Sequence, residues 1–242
     1  MRHLIAIPIY NEQKTLVQVL QQVRKHGADI LVINDGSTDG TPQLLAEQTD
    51  LNVIVHRQNM GYGAALRSSF GFALAHHFDA LITMDCDGQH EPERIPVLLE
   101  ALNEGVDLVS GSRYLRTFHQ DTIPPADRRH INDIITREIN QRFGLKLTDT
   151  FCGFKAYRVA KLSRLHISEN GWGMPLQLWV QAAMLGWKIV EVGVPLLYLD
   201  PNRAFGGTLD QPEERLKYYR GIIERETTHP QIDLHCQGAY CS

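Results

Sequence analysis

The chain has 242 residues, 43% hydrophobic and 21% charged, with a formal charge of −4. That length admits one large domain, or one domain with a small appendage, and buries a sizeable core without staples. The slightly acidic balance argues against a nucleic-acid binder, which is ordinarily basic. Four cysteines, Cys86, Cys152, Cys236 and Cys241, lack zinc-ligand spacing and are too few for a disulfide scaffold. A reducing, cytoplasmic setting is therefore expected. Met1-Arg2-His3 leads straight into a strand-like run, with no signal-peptide pattern. The longest apolar-rich region, residues 174–187, is interrupted by Gln177 and Gln181 and is too short and polar to span a bilayer.

Residues 4–9 form a first strand; Pro8 belongs at an edge or a strand end, because it cannot donate to a ladder. Asn11 then caps a helix in which Leu16, Val19, Leu20 and Val23 recur at helical spacing, and Gly27 ends it. Residues 30–33 are a second strand, followed by the loop Asn34-Asp35-Gly36-Ser37-Thr38-Asp39-Gly40. Thr41 before Pro42 reads as an N-cap with proline at the first helical position. A third strand covers 51–55, and Gly61-Tyr62-Gly63 opens a helix running to about residue 76. Residues 80–84 are a fourth strand. Pro92 opens a helix with Ile95, Leu98, Leu99 and Leu102 on its buried face, and 106–110 are a fifth strand. This alternation predicts an α/β fold: a mostly parallel central sheet flanked by helices.

The pattern then changes. Residues 116–125 read as a long loop, of the kind that forms lids or binding loops. A helix over 127–143 carries Ile131, Ile134, Ile135 and Ile139, and 147–157 are irregular or a short strand with a bend at Gly153. A helix over 174–185, a strand over 188–194, a loop over 198–211 and a helix over 212–226 complete a single expected catalytic domain, 1–226. Residues 227–242 read as a flexible tail.

Ligands of such sheets sit beyond the carboxyl ends of the strands. Polar clusters follow those ends: Tyr10-Asn11-Glu12, residues 35–39, residues 85–90 and Ser112-Arg113. In Asp85-Cys86-Asp87-Gly88-Gln89-His90 the two aspartates, two apart on extended backbone, point the same way. Paired carboxylates suit a hard cation, Mg²⁺ or Mn²⁺, bound together with substrate phosphates; Asp and Gly also build plain turns. Asp35 reads equally as an Asx turn or as an acceptor for a ribose or base. Gly61-x-Gly63 reads equally as a phosphate approach or as close helix packing. No dinucleotide fingerprint or P-loop motif is present. Arg113, Arg128, Arg129 and Arg203 could neutralise phosphates through their planar forks.

Ordered blocks then bear a resemblance. They are Ile7-Pro8-Ile9-Tyr10-Asn11-Glu12, residues 33–41, residues 59–65, Met84-Asp85-Cys86-Asp87-Gly88-Gln89-His90-Glu91-Pro92, Gly111-Ser112-Arg113-Tyr114, residues 148–158 and residues 189–192. Over residues 3–210 the chain resembles family 2 glycosyltransferases of the GT-A fold, most like the polyprenyl- or dolichol-phosphate mannose and glucose synthases.

The resemblance implies a nucleoside pocket lined by Pro8, Tyr10, Glu12 and Asp35, joined by Asp85, Cys86 and Asp87. It implies Mg²⁺ or Mn²⁺ held by Asp85, Asp87 and Gln89, and phosphates met by Arg113, Arg203 and either Arg128 or Arg129. Asp85, Asp87, Arg113 and Arg203 would carry catalysis. The implied reaction is inverting transfer of mannose or glucose from a nucleotide-diphosphate sugar to a polyprenyl phosphate at the inner face of the membrane. Its alternatives are a soluble or protein-bound hydroxyl acceptor, or a non-catalytic sugar-nucleotide-binding protein. A membrane-protein partner or a homo-oligomer fits either transfer. Gln177, where relatives often carry an acid, favours an acceptor that is already anionic; Asp149 and Glu169 nearby weigh against that. The chain departs from the family pattern in three ways. Residues 203–210 have no lysine after the glycines, residues 113–128 lack a short glycine-rich form, and no C-terminal membrane helices follow.

Overall fold

The computed structural model describes residues 1–103, 105–199, 204–230 and 232. Among the described residues, seven strands form one mixed sheet: β1 His3–Ile9, β2 Asp29–Asn34, β3 Asn52–Val55, β4 Ala80–Thr83, β5 Leu108–Ser112, β6 Lys155–Arg158 and β7 Ile189–Gly193. Their spatial order is β3-β2-β1-β4-β6-β5-β7. All pairings are parallel except those of β6, which runs antiparallel between β4 and β5. That strand is where the sheet departs from the parallel expectation. Its four residues, Lys-Ala-Tyr-Arg, carry charge at both ends and give no long apolar run to read.

The helices are α1 Leu16–Val23, α2 Thr41–Ala46, α3 Tyr62–Ala75, α4 Ile95–Ala101, α5 Ala126–Phe143, α6 Val159–Leu162, α7 Met174–Met184 and α8 Pro212–Thr228. They cover both faces, and the period-two alternation of β1 shows how. Leu4 and Ala6 enter one apolar layer with Phe70, Ile135, Trp179 and Ile222, contributed by α3, α5, α7 and α8. Ile5, Ile7 and Ile9 enter the other, with Leu16 and Leu20 of α1 and Ile95 and Leu98 of α4. Leu99 and Ile134, expected on buried faces, are only half-buried.

Pro8 sits near the end of an interior strand rather than at an edge. Ala6 accepts from the Met84 amide, so Pro8, two residues on, faces the same neighbour after the β4 pairing has stopped at Thr83. Two capping expectations fail. Asn11 adopts φ +57°, and its side-chain carbonyl accepts from the Thr38 and Asp39 amides instead of capping α1. Thr41 lies inside α2, and its hydroxyl accepts from the Glu12 amide. Both side chains stitch the loop after β1 to the loop after β2.

Helix α8 is anchored by a buried carboxylate. Glu226 accepts from Gln177 Nε2 at 2.6 Å and from Gln181 Nε2 at 3.0 Å, both on α7. No helix among the described residues is long and apolar enough to cross a membrane.

Candidate active site

Because β1, β2, β4 and β5 are parallel, their carboxyl ends open at one edge, where a cavity of about 970 Å³ lies. The strand order divides its charges. Glu12, Asp35, Asp85 and Asp87 follow β1, β2 and β4 on one half; Arg113 follows β5 on the other, with Arg128 from α5 and Arg215 from α8.

On the acidic half, Pro8, Tyr10, Glu12 and Asp35 all line the cavity. Asp35 is buried, and its carboxylate accepts from the Met60 and Gly61 amides at 2.9 and 2.8 Å and meets His56 Nδ1 at 2.6 Å. It therefore closes the 56–61 loop as well as facing the cavity. The Glu12 carbonyl accepts the first amides of α1, and its carboxylate accepts from the Thr15 hydroxyl. Gly61-x-Gly63 resolves to helix packing: the Gly63 and Ala64 amides donate to the Asn170 carbonyl, and β-carbons at Gly61 and Gly63 would collide with residues 169–170.

Asp85, Cys86, Asp87 and Gln89 line the same cavity, and the Cys86 side chain is buried in the apolar layer under α1 and α4. That alternation turns both carboxylates to one side. Burial pushes the Cys86 thiol far up. The Gln89 amide donates to Asp87 at 3.0 Å and closes the turn. Extending the β4–β6 register places Gly153 opposite Asp85. A β-carbon on Gly153 would stand 2.7 Å from Asp85 Oδ2 and from the Tyr62 hydroxyl. Only glycine leaves room for that carboxylate. His90 is buried against Phe154, and its Nδ1 accepts from the Asp85 amide at 2.9 Å. That bond puts the ring proton on Nε2, which lies 3.9 Å from Asp85 Oδ2 and 4.0 Å from Cys152 Sγ.

No group of three or more His, Cys, Asp or Glu side chains able to hold a metal occurs among the described residues. Asp85 and Asp87 set two hard oxygen donors on the cavity lining, a set whose chemistry fits a cation that completes its shell with substrate phosphates and water.

On the basic half, Arg113 is gripped by Asp149, which is fully buried and accepts from Arg113 Nε at 2.7 Å and Nη2 at 2.9 Å. Burial alone would raise the Asp149 carboxyl. The Arg113 guanidinium and donors from Asn132 and Phe151 outweigh that and hold it well below the usual carboxylate range. Arg128 lines the cavity, whereas Arg129 pairs with Asp133 at 3.1 Å and stacks on Tyr114. Arg203 lies outside the described residues. Arg215, unforeseen from the sequence, is buried; it pairs with Asp127 and donates to the Leu209 carbonyl. Trp172 and Phe205 also line the site. Their only sequence signal is an aromatic beside glycines.

Gln177 is not at the site. It faces Glu226 and accepts from the Ser168 and Glu169 amides beneath α7, so its identity says nothing about the acceptor. Asp149 and Glu169 are likewise engaged, the latter by Tyr218 and Arg225.

Residues 4–165 match glycosyl transferase family 2. The chain belongs to that family and is a glycosyltransferase. It is 34% identical over 222 residues to an undecaprenyl-phosphate mannosyltransferase of Micrococcus luteus, covering 87% of this chain and 90% of that protein. It is 32% identical to a polyprenol monophosphomannose synthase of Mycolicibacterium smegmatis, covering 80% and 76%. Among solved structures, glucosyl-3-phosphoglycerate synthase of Mycobacterium tuberculosis, in complex with Mn²⁺, UDP and phosphoglyceric acid, superposes with a TM-score of 0.69. The two share 18% identity over 92% of this chain and 77% of that one. The GT-A fold implied by the sequence resemblance is the fold found.

Proposed function

We propose that this enzyme transfers a hexose, mannose or glucose, from a nucleotide-diphosphate sugar to a polyprenyl phosphate, with inversion at the anomeric carbon. The carrying observation is the division of charge across one cavity, with Asp85 and Asp87 on one half and Arg113, Arg128 and Arg215 on the other. In this reading Asp85, Asp87 and Gln89 hold Mg²⁺ or Mn²⁺ with the donor diphosphate, and Pro8, Tyr10, Glu12 and Asp35 bound the nucleoside. The ion, when bound, supplies Lewis-acid stabilisation to the departing nucleoside diphosphate. The complex of the tuberculosis synthase with Mn²⁺ and UDP supports that role.

The acceptor half favours an anion. The cavity-lining carboxylates among the described residues, Glu12, Asp35, Asp39, Asp85 and Asp87, all follow β1, β2 and β4. A hydroxyl acceptor wants a base within hydrogen-bond reach; a lipid phosphate is already anionic. Arg113, whose Nε and Nη2 are held by Asp149, has its Nη1 edge left for that phosphate. The names of the relatives from Micrococcus and Mycolicibacterium support a polyprenyl acceptor. The proposed setting is the cytoplasm at the inner membrane face; the two described cysteines, both free thiols, are consistent with a reducing compartment.

A second reading, a soluble acceptor attacking through a hydroxyl, is supported by the fold likeness to glucosyl-3-phosphoglycerate synthase. GDP-mannose, UDP-glucose and UDP-N-acetylglucosamine should be screened with Mg²⁺ and Mn²⁺ against undecaprenyl phosphate and 3-phosphoglycerate. Label entering the organic phase only with the lipid is the expected result. Product only with the soluble acceptor would replace the first reading by the second.

A further inference from the structure

Three side chains stand in line at the edge of the acidic half. His56 Nδ1 meets Asp35 Oδ1 at 2.6 Å, and His56 Nε2 meets Ser68 Oγ at 2.9 Å. The bonding order is that of a Ser-His-Asp nucleophilic triad, but the line runs the other way. Asp35 lines the cavity, and Ser68, on α3, does not. The end that opens on the ligand space is the carboxylate, so the line sets an acceptor rather than activating a hydroxyl.

The proton in the short contact follows from the other partners. Asp35 accepts from the Met60 and Gly61 amides, so it is the acceptor toward His56 as well, and Nδ1 carries the hydrogen. Nε2 then pairs with the Ser68 hydroxyl, which can give or take a hydrogen bond. His56 and the Met60 amide both fall on Oδ1, whereas Oδ2 takes the Gly61 amide alone. Acceptor capacity is therefore left on Oδ2. Met60 and Gly61 lie in the loop that Asp35 closes. His56 instead ties the carboxylate to the regular framework. Its amide, just past β3, donates to the Asn34 carbonyl at 2.9 Å, and its ring reaches α3 through Ser68. The His56 and Asp35 side chains are 10% and 5% exposed, so water has little access to replace either partner.

Building on the proposed nucleoside pocket, we propose that His56 is a positioning residue for Asp35, with Ser68 fixing its ring. The Nδ1–H holds Oδ1 and so sets Oδ2 to accept from the nucleoside, through a base N–H or a ribose hydroxyl. Held from the sheet and a helix, the carboxylate is in place before the nucleotide arrives.

The test is calorimetric titration of UDP and of GDP, with Mg²⁺, into the full chain. Wild type, Asp35→Ala, His56→Asn, His56→Leu and Ser68→Ala are compared, with thermal melting as the check on folding. Asparagine and leucine have nearly the same shape, and only asparagine can keep an N–H where Nδ1 stands. His56→Leu should weaken the nucleotide that wild type binds by about tenfold, the size of one hydrogen bond to a charged group. His56→Asn should stay within about threefold of wild type, and Ser68→Ala should lose about threefold. A clasp that served the fold alone would lower the melting temperature of His56→Leu and leave the affinity of the folded chain unchanged. That result, with Asp35→Ala weakened, overturns the inference, as do equal losses in His56→Asn and His56→Leu. Wild-type affinity in Ser68→Ala overturns the part given to Ser68. If Asp35→Ala binds both nucleotides like wild type, the nucleoside-pocket reading beneath it fails instead.

Discussion

Asp149→Asn tests whether Arg113 is oriented by a buried partner. The carboxylate is wholly inaccessible and accepts from Arg113 N, Nε and Nη2, from Asn132 Nδ2 and from the Phe151 amide, at 2.7–3.2 Å. The Arg113 side chain is only 14% exposed, so water can do little to replace the lost charge. Breaking such a pair from one side costs about 3–5 kcal/mol, against a typical domain stability of about 5–15 kcal/mol. Urea unfolding of wild type and variant should show that loss as a lower midpoint with an unchanged slope. The double variant Arg113→Met/Asp149→Leu, which removes both charges, should regain part of the stability, since the Asn132 and Phe151 donors lose their acceptor, while remaining unable to turn over donor. A loss below about 1 kcal/mol in Asp149→Asn would refute the view that this pair is a dry, mutually dependent unit.

The same carboxylate sets an acid limit. Its folded value lies below its unfolded one, so its contribution is complete above about pH 4 and is lost as pH falls toward the folded value. Melting temperature between pH 2 and 6 should therefore fall more steeply in wild type than in Asp149→Asn; parallel curves would reject the assignment. Gly153→Ala should weaken Mn²⁺–nucleotide binding about tenfold or more, because the new methyl would displace Asp85. Gly71→Ala, within α3 and with open space around it, should be neutral or stabilising by about 0.5–1 kcal/mol. Calorimetric titration and melting compare the two. Gln177→Glu should destabilise the fold by setting a second carboxylate against Glu226, and should confer no new hydroxyl-acceptor activity. Transfer to 3-phosphoglycerate appearing in that variant would put residue 177 back at the site.

Much of this was legible in the chain itself. The regular apolar runs of β1, β2 and β4 and the stripe Leu16-Val19-Leu20-Val23 follow periodicities that burial enforces, so sheet and helices could be placed. Polar residues beyond strand ends share one edge by topology, which is why Glu12, Asp35, Asp85, Asp87 and Arg113 were found together. What stayed hidden depends on partners far along the chain. Gln177 looked like a site residue until α8 brought Glu226 to it across 49 positions. Arg215 reads as one more charged helix residue, and only the packing of α8 on α5 brings it into the cavity wall. β6 was obscured because its charged ends find most of their partners far along the chain: Lys155 donates to Ser110 as well as to the nearby Cys152 carbonyl, and Arg158 donates to carbonyls at Leu102, Asn103 and Val106. Asn11 and Thr41 have the composition of caps, but serve as cross-loop clamps, since both carry oxygen acceptors suited to either task.

The most direct test of the central claim is single-turnover transfer by wild type and Asp87→Ala, using the donor and acceptor that the screen selects. If the Asp85–Asp87 pair holds the ion that stabilises the leaving diphosphate, the variant should melt like wild type and be slower by about a thousandfold or more. Turnover within a few-fold of wild type would contradict the account.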